Sequence, residues 1–463
     1  MLRIPELIGS DYFVNTIDAK RVKYLNLDNA ATTPTFKLIL NKVTEFLETY
    51  GSIHRGSGQK SQVSTAIYEE AVPVILNFLG VTQKEYALIV THNTTSSINK
   101  LTRMLDISEE DTIFLSEFEH SANDLPWRKK ATVVRIPADE NGLLDMEYFE
   151  NALRKFKSKR KKFVAISGAS NITGALTPIH EIAKLAHGYG AFVMVDAAQL
   201  VAHREINLRG SRATEEIDFI CFSGHKMYAP FGGGVLVGRR EYLERMIPDD
   251  FGGGNVDFVT NDSFDLAKDF FKRATAGTPN VLGIVSMALS CLILKEQIGF
   301  KTIFGHEQSI LARAKEKFSK LSNVKTYCDL DYNAKNKCSI LTFNIADMHP
   351  GLVAARLGHE FGIGVRQGAI CQFSYVAKLL GIDQNEFQTI RADVLSGTYN
   401  QKFGIVRASF GLGNAEEDVD RLAEALCIIF KSPEKEKNYL LNSNGEFWPN
   451  GKQSLDAKEF YKI

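Results

Sequence analysis

Lys226 stands in a setting that suits the chemistry of an amine. It follows an apolar run, Ile217 to Phe222, that is typical of a buried strand, and it comes directly after the polar segment Ser223-Gly224-His225. The glycines at 232–234 then let the chain turn before a second apolar run. An amine presented just beyond a buried strand can form a Schiff base with an aldehyde cofactor. The sequence therefore predicts that Lys226 is a Schiff-base lysine.

Asp196 supplies a carboxylate in a similar position. It closes the apolar run Phe192-Val193-Met194-Val195, and a carboxylate at the end of a buried strand needs a cationic partner because unpaired burial is costly. Pyridoxal phosphate enzymes pair an Asp with the protonated pyridine nitrogen, which makes the ring an electron sink. A structural Asp that caps a turn is an equal alternative on residue type alone. The presence of Lys226 favours the cofactor.

Five further residues have side chains that suit a phosphate or a planar ring. Thr94 and Thr95 stand where a strand passes into a helix, so their hydroxyls and amides can hold a phosphate at the helix N-terminus. Simple capping of the helix by a threonine is an alternative of equal weight. Ser223 and His225 can add donors to the same phosphate. His120 follows another strand and can lie flat on a ring, although an isolated histidine is more often a satisfied structural residue.

The elements that must position these residues alternate along the chain. Short apolar strands are predicted at 86–90, 112–115, 163–166, 191–195 and 219–222, and helices at 36–50, 94–105 and 179–187. This alternation indicates an α/β fold with a mainly parallel sheet covered on both faces. Ligands of such sheets lie at the carboxyl ends of the strands, where the residues above fall. Mixed strands such as 339–344 and 404–409 predict a second, smaller unit.

The composition narrows the class of partner. Among 463 residues, 55 basic and 55 acidic side chains cancel, so no net charge recruits nucleic acid or an anionic membrane. The N-terminus lacks the order of a secretory signal, and the run from Val281 to Leu294 is too short and too interrupted to span a bilayer. We therefore expect a cytoplasmic protein. The six cysteines show no C-x-x-C spacing, which argues against a zinc site and a disulfide framework, and no metal is predicted.

Seven motifs occur in order between residues 24 and 425. They are Leu27-Asp28-Asn29-Ala30-Ala31-Thr32-Thr33, Asn93-Thr94-Thr95, Glu119-His120-Ser121-Ala122-Asn123, Ser170-Asn171, Val195-Asp196-Ala197-Ala198-Gln199, Ser223-Gly224-His225-Lys226 and Ala276-Gly277-Thr278-Pro279-Asn280. This series resembles the class V aminotransferases among the fold-type I pyridoxal phosphate enzymes, and in particular the cysteine desulfurases of the selenocysteine-lyase-like branch.

The resemblance implies a domain organisation. A large cofactor-binding domain over 25–285 would carry a mainly parallel, seven-stranded sheet covered by helices, and a smaller α+β domain would span 286–432. An N-terminal lead-in over 1–24 would pack on the small domain, and a tail would occupy 433–463. The cofactor it implies is pyridoxal 5′-phosphate.

The resemblance also implies contacts to the cofactor ring. Lys226 would form the internal aldimine, Asp196 would pair with the pyridine nitrogen, and Gln199 would donate a hydrogen bond to the ring hydroxyl. His120 would stack on the ring, and Asn171 would touch both the cofactor and the substrate side.

Contacts to the phosphate are implied in the same way. Thr95, Ser223 and His225 would hold the phosphate beside Thr94. Thr278 would reach the phosphate of a neighbouring subunit, so the resemblance implies a homodimer with a shared active site.

Three residues bear on the substrate and the reaction. Arg407, within an apolar strand, matches the family arginine that clamps the substrate carboxylate, a task that suits a bidentate donor. Arg366 matches a second arginine near the same mouth, and a surface salt bridge is its rival interpretation. Cys371 matches the cysteine that accepts sulfur in the desulfurases. Its neighbours at 369–373 depart from the polar or small residues usual there, and this apolar setting suits a buried cysteine.

One loop near the entrance of the implied pocket also matches the family, with one departure. The segment His54-Arg55-Gly56 matches, but Gly58 replaces a histidine that is common there. The entrance of the pocket is therefore expected to differ, which bears on the substrate more than on the cofactor.

Three functions are consistent with these residues. The first is a desulfurase that converts L-cysteine to L-alanine, leaves a persulfide on Cys371 and passes its sulfur to an acceptor protein. The second keeps the cofactor in an aminotransferase or C–S lyase that acts on another amino acid, because one scaffold hosts many reactions. The third is a non-catalytic scaffold that binds a sulfur carrier.

Overall fold

Two compact units make up the chain. The structure, a computed structural model, describes residues 4–54, 56–157, 159–328, 334–399, 402–442, 444–452 and 454–461. The first unit comprises Met1–Ile8, Thr32–Asn171 and Ala175–Gly305, and the second comprises Gly9–Ala31, Ile172–Gly174 and His306–Ile463. The predicted domain boundaries stay predictions.

The regular elements are numbered in chain order. The strands are β1 (Phe13–Asn15), β2 (Arg21–Lys23), β3 (Leu25–Asn26), β4 (Tyr86–Thr91), β5 (Thr112–Ser116), β6 (Thr132–Ile136), β7 (Lys162–Ser167), β8 (Phe192–Asp196), β9 (Phe219–Ser223), β10 (Gly234–Arg239), β11 (Val256–Val259), β12 (Phe264–Leu266), β13 (Val324–Thr326), β14 (Ile340–Ile345), β15 (Ile363–Gly364), β16 (Arg366–Gly368), β17 (Ile405–Ser409), β18 (Tyr439–Leu441) and β19 (Phe447–Pro449). The helices are α1 (Lys37–Leu47), α2 (Gln59–Phe78), α3 (Thr94–Met104), α4 (Ser121–Arg128), α5 (Met146–Lys155), α6 (Ile179–Gly188), α7 (Arg240–Leu243), α8 (Phe270–Arg273), α9 (Val281–Leu292), α10 (Phe300–Phe318), α11 (Pro350–Phe361), α12 (Phe373–Leu380), α13 (Gln384–Ser396) and α14 (Glu416–Lys431).

The first unit is built on a seven-stranded sheet. Its strand order is β4-β10-β9-β8-β7-β5-β6. Only β10 runs against the others in this sheet, since it pairs antiparallel with both β4 and β9 while the remaining pairs are parallel. This confirms the predicted α/β fold with a mainly parallel sheet. The five predicted strands agree with β4, β5, β7, β8 and β9 to within one residue at each end.

The sequence of these strands explains their placement. Every residue of β5, β7 and β9 is buried, as expected for strands whose two faces are both covered by helices. Aromatic side chains extend this core to α4, because the rings of Trp127 and Phe163 stack with their centroids 6.4 Å apart. The carboxyl ends of six strands therefore meet at one well-supported edge.

The second unit has the α+β character that was predicted. Its four-stranded sheet has the order β13-β14-β17-β16, and the pairs are antiparallel. The C-terminal hairpin of β18 and β19 packs on α11, where Phe447 lies 5.0 Å from the ring of His349 and Trp448 lies 5.4 Å from the ring of His359.

One apolar helix is longer than the sequence predicted. After α9 the helical run continues as a π-helix, Ile293–Ile298, so that 18 residues from Val281 to Ile298 are long and apolar enough to cross a membrane by length and composition. The length part of the prediction is therefore wrong. However, 67% of this run is buried within the protein, as is typical of a helix in a protein core.

Candidate active site

Nine of the ten residues predicted to bind a cofactor line one cavity in the first unit. The cavity measures about 230 Å³ and lies at the carboxyl ends of the parallel strands. Its lining comprises Asn93, Thr94, Thr95, His120, Ala122, Ser167, Ala169, Asn171, Asp196, Ala198, Gln199, Ser223, His225 and Lys226. Thr278 is the tenth predicted residue, and it lies on an exposed stretch before α9. Its role toward a neighbouring subunit stays a prediction.

The N-terminus of α3 forms one end of this cavity. The side chain of Asn93 caps the helix by accepting a hydrogen bond of 2.9 Å from the Ser96 amide, so the alternative that a threonine caps the helix is wrong. Thr94 instead bonds to Ser223, whose Oγ lies 2.7 Å from both the amide and the hydroxyl of Thr94. A helix N-terminus surrounded by hydroxyls attracts an anion such as a phosphate.

Gly234 allows the sheet to approach this helix end closely. A Cβ atom at Gly234 would lie 2.5 Å from the backbone Cα and carbonyl carbon of Asn93. Backbone atoms at that distance cannot yield as a flexible side chain can. The first residue of β10 must therefore be glycine if the cap of α3 is to keep its place.

Asp196 and Lys226 supply opposite charges to the cavity. Asp196 ends β8 and is 5% exposed, and in the described part of the chain its hydrogen-bond donor is the Ala198 amide at 3.0 Å. Burial raises the pKa of Asp196, while the Ala198 amide and the Lys226 ammonium act in the opposite direction. A protonated ring nitrogen would add the cation that such a carboxylate needs. The donor set of the cavity thus fits pyridoxal phosphate.

The turn that carries Lys226 is held by a pair of threonines. Lys226 ends a short 3-10 helix, Gly224–Lys226. The His225 carbonyl accepts hydrogen bonds from the Thr32 hydroxyl at 2.9 Å and from the Thr33 amide at 3.0 Å. Burial and the Lys226 ammonium lower the pKa of His225, so its ring is neutral at physiological pH.

His120 is both a structural residue and a residue of the cavity, the two roles that the sequence allowed. It is the N-cap of α4, where its Nδ1 accepts a hydrogen bond of 3.0 Å from the Ala122 amide. Its ring also lines the cavity. Because Nδ1 accepts, the proton of the neutral ring lies on Nε2.

Glu119 lies beside the cavity residues His120 and Ser167, and the sequence predicted no role for it. It lies one position before His120, is 4% exposed, and receives hydrogen bonds from Ser116, Ser167 and Asn123. Burial raises its pKa to about 7, although these donors act in the opposite direction. The signal in the sequence that could have indicated Glu119 is an acidic residue within a short polar segment after a strand.

The second unit joins the two predicted substrate arginines through one carboxylate. Arg407, in β17, is 1% exposed and donates to one oxygen of Asp28 at 2.8 Å, and Arg366 donates to the other oxygen at 2.8 Å. Burial and the neighbouring charge of Arg366 lower the pKa of Arg407, whereas Asp28 acts in the opposite direction. The salt bridge considered for Arg366 is present, and whether either arginine binds a substrate stays a prediction.

Cys371 is exposed, so the alternative of a buried cysteine, which its apolar neighbours suggested, is wrong. The turn between β16 and α12 explains the difference. Ile370 and Cys371 have positive φ angles of 46° and 62°, and it is the next residue, Gln372, that is buried. A left-handed conformation is rare for a β-branched residue such as Ile370 and marks a strained turn.

The predicted entrance loop is described only in part, because Arg55 lies outside the described residues. The His54 amide donates a hydrogen bond of 2.9 Å to the Thr65 hydroxyl of α2. Gly58 is the N-cap of that helix. The loop is therefore attached to the start of α2.

Residues 25–422 match the family described as aminotransferase class-V. The chain therefore belongs to this family of pyridoxal phosphate-dependent enzymes, which confirms the predicted relationship.

Several relatives bear a more specific name. The chain is 32% identical over 423 residues to a probable cysteine desulfurase of Halalkalibacterium halodurans, a match that covers 89% of this chain and 93% of the relative. The apo structure of the cysteine desulfurase from Thermococcus onnurineus NA1 matches with a TM-score of 0.76 and 30% identity over 88% of this chain and 95% of that one. A structure of the cysteine desulfurase CsdA (S-sulfonic acid) from Escherichia coli matches with a TM-score of 0.72 and 28% identity over the same shares.

Proposed function

We propose that this protein is a pyridoxal phosphate-dependent enzyme that removes sulfur from L-cysteine, releases L-alanine and keeps the sulfur as a persulfide on Cys371. The observation that carries the proposal is the convergence of Lys226, Asp196 and the N-terminus of α3 on one cavity. The exposure of Cys371 and the names of the relatives support the choice of reaction.

Different residues of the cavity would bind different parts of the cofactor. Thr94, Thr95, Ser223 and His225 would hold its phosphate at the positive end of α3. Bound there, pyridoxal phosphate supplies an aldehyde for the substrate amine and a ring that stores the electron pair left when a bond to the substrate breaks.

Asp196 and Gln199 would keep that ring electron-poor and oriented. The carboxylate of Asp196 would pair with the ring nitrogen, and the amide of Gln199 would donate to the ring hydroxyl. His120 would lie against the ring face, and Asn171 would face the substrate side. Lys226 would bind the cofactor through its amine and then move the proton of the substrate Cα as a general base.

Three further residues would supply the carboxylate clamp and the sulfur acceptor. Arg407 and Arg366 would bind the substrate carboxylate. The Cys371 thiolate would attack the substrate sulfur while the C–S bond breaks. The electron pair of that bond remains with the substrate fragment, which takes up a proton and leaves as alanine.

Three further features belong to this proposal. The enzyme would act as a homodimer in which Thr278 reaches the phosphate held by its neighbour. The persulfide on Cys371 would pass its sulfur to an acceptor protein. The protein would work in the cytoplasm.

Product analysis tests the proposal. The protein is incubated with L-cysteine, pyridoxal phosphate and a reductant, and alanine and sulfide are quantified together. We expect equal amounts of both, their loss in Cys371→Ala, and near-parent rates in the matched variant Cys427→Ala, since Cys427 is a partly exposed residue of α14.

Other outcomes would contradict the proposal in distinguishable ways. Full turnover by Cys371→Ala would show that Cys371 takes no part in the reaction. A 2-oxo acid product without alanine would indicate transamination instead. Absence of a visible absorption band that depends on Lys226 would contradict the cofactor itself.

A further inference from the structure

Glu119 is a buried carboxylate that accepts hydrogen bonds at both of its oxygens. Its Oε1 accepts from the Ser167 amide at 2.9 Å and from the Ser116 hydroxyl. Its Oε2 accepts from the Ser167 hydroxyl at 2.7 Å and from the Asn123 amide nitrogen at 2.7 Å. These donors lie on the ends of β5 and β7 and on the first turn of α4. Glu119 thus joins three elements at the edge of the cavity.

The direction of the hydrogen bond between Asn123 and Glu119 is fixed by Trp127. The indole nitrogen of Trp127 can only donate, and it donates to Oδ1 of Asn123 at 3.0 Å. The other end of the Asn123 amide must therefore be its NH₂ group, which donates to Glu119. Trp127 cannot turn away to relax this constraint, because its ring is fully buried against Phe163.

We propose that Glu119 is the positioning residue for His120, acting as an acceptor at both oxygens that ties the first turn of α4 to the ends of β5 and β7. His120 is the next residue along the chain and the N-cap of α4, so its ring direction follows from where that turn is held. The proposal rests on the proposed function in one respect, that the His120 ring contacts the cofactor.

A glutamine cannot replace Glu119 in this arrangement. One end of its amide is a donor, and it would face either the Ser167 amide or the Asn123 NH₂ group, both of which are also donors. Rotation of Asn123 would only move the clash to Trp127. If Asn123 is changed to Asp as well, each conflict disappears, because the new carboxylate accepts from both the introduced glutamine and Trp127. The proposal therefore predicts that Asn123→Asp reverses the effect of Glu119→Gln. A role of Glu119 in packing alone does not predict this reversal.

The experiment compares Glu119→Gln with the double variant Glu119→Gln/Asn123→Asp at pH 8.5, where the parent carboxylate is ionised. The cofactor's visible circular dichroism at saturation reports how the ring is held, and titration of the apo protein with pyridoxal phosphate reports its affinity. We expect Glu119→Gln to weaken binding about tenfold and to reduce the dichroism, and the double variant to recover most of both. The control is Glu181→Gln, an exposed glutamate of α6, which should match the parent.

Measurements without the cofactor separate this proposal from the proposed function. The sequence has two tryptophans, so in a Trp448→Phe background the emission of Trp127 reports on the network alone, together with the urea midpoint of the apo protein. We expect both to change in Glu119→Gln and to return in the double variant. Failure of the parent to bind the cofactor contradicts the proposed function. Parent-like emission, midpoint and dichroism in Glu119→Gln, or no recovery in the double variant, overturns the role of Glu119.

A milder variant covers the case in which neither of these proteins folds. Ser116→Ala removes one donor to Glu119 without reversing any hydrogen bond. We expect a smaller loss of dichroism in the same direction, and an unchanged dichroism would overturn the proposal.

Discussion

Arg407 donates a hydrogen bond of 2.8 Å to Asp28, a residue 379 positions away in the sequence. Asp28 thus binds the Arg407 guanidinium, the group that we propose binds the substrate carboxylate. Arg366 binds the other oxygen of the Asp28 side chain. A substrate carboxylate would have the same charge and shape as the Asp28 side chain. Under the proposed function it would have to share the two arginines with Asp28 or displace it.

Asp28→Asn should destabilise the protein because the buried Arg407 loses its charged partner. We expect the free energy of unfolding to fall by about 1–3 kcal/mol, below the cost for a fully buried pair since the Asp28 side chain is 22% exposed. Urea denaturation measures the change. Asp11→Asn is the matched control, because Asp11 pairs with Lys23 while 86% exposed and should show no measurable change. Equal stability of Asp28→Asn and the parent would contradict the importance of this pair.

Gly234→Ala should damage the predicted phosphate site from a distance. The added Cβ would collide with the Asn93 backbone at 2.5 Å, so we expect a loss of about 1–3 kcal/mol in the free energy of unfolding and weaker binding of pyridoxal phosphate. Gly188→Ala is the control, since nothing lies within 4 Å of its added Cβ. Thermal unfolding and cofactor titration of both variants measure the difference. Parent-like binding in Gly234→Ala would show that the cap of α3 can move without cost.

The sequence predicted the sheet and its cavity well for a physical reason. Strands buried on both faces are continuous apolar runs, so their ends were visible to within one residue. The residues that follow those ends, such as Thr94, Asp196 and Lys226, meet at one edge because parallel strands end together.

Other features depend on contacts that no local pattern shows. Helix α2 was not predicted, since its buried face includes the polar residues Ser61 and Ser64 and hides the helical period. The bridge between Asp28 and Arg407 joins distant parts of the chain. The exposure of Cys371 follows from two left-handed residues whose types rarely adopt that conformation.

Stability should fall with rising pH through the titration of His187. Its Nε2 lies 2.9 Å from an oxygen of Asp218 and its Nδ1 lies 3.0 Å from the Thr214 carbonyl, so both nitrogens act as donors, as in the charged ring. The hydrogen bond to Asp218 is the main cause that raises the pKa of His187 above its ordinary value of 6.5. The folded state then holds the proton more tightly than the unfolded state, and its contribution is complete below pH 6.5 and lost as the pH rises through the folded-state pKa.

Urea midpoints measured from pH 6 to pH 9 check this expectation. His187→Gln should remove part of the decline with pH, and Asp218→Asn should remove the same part because it deletes the partner. Identical pH profiles for the parent and His187→Gln would contradict the assignment.

Alkylation of the native protein should modify Cys371 before Cys221 and Cys291. It is exposed, whereas Cys221 and Cys291 are buried and burial raises the pKa of both thiols, which leaves them protonated and unreactive. We expect brief treatment with iodoacetamide to modify Cys371 at least about tenfold faster than Cys221 or Cys291, because burial both shields those two thiols from the reagent and keeps them protonated. Peptide mass mapping measures the rates, and denaturation in urea should make the three cysteines comparable. Preferential labelling of Cys221 or Cys291 in the native protein would contradict the exposed turn at Ile370 and Cys371.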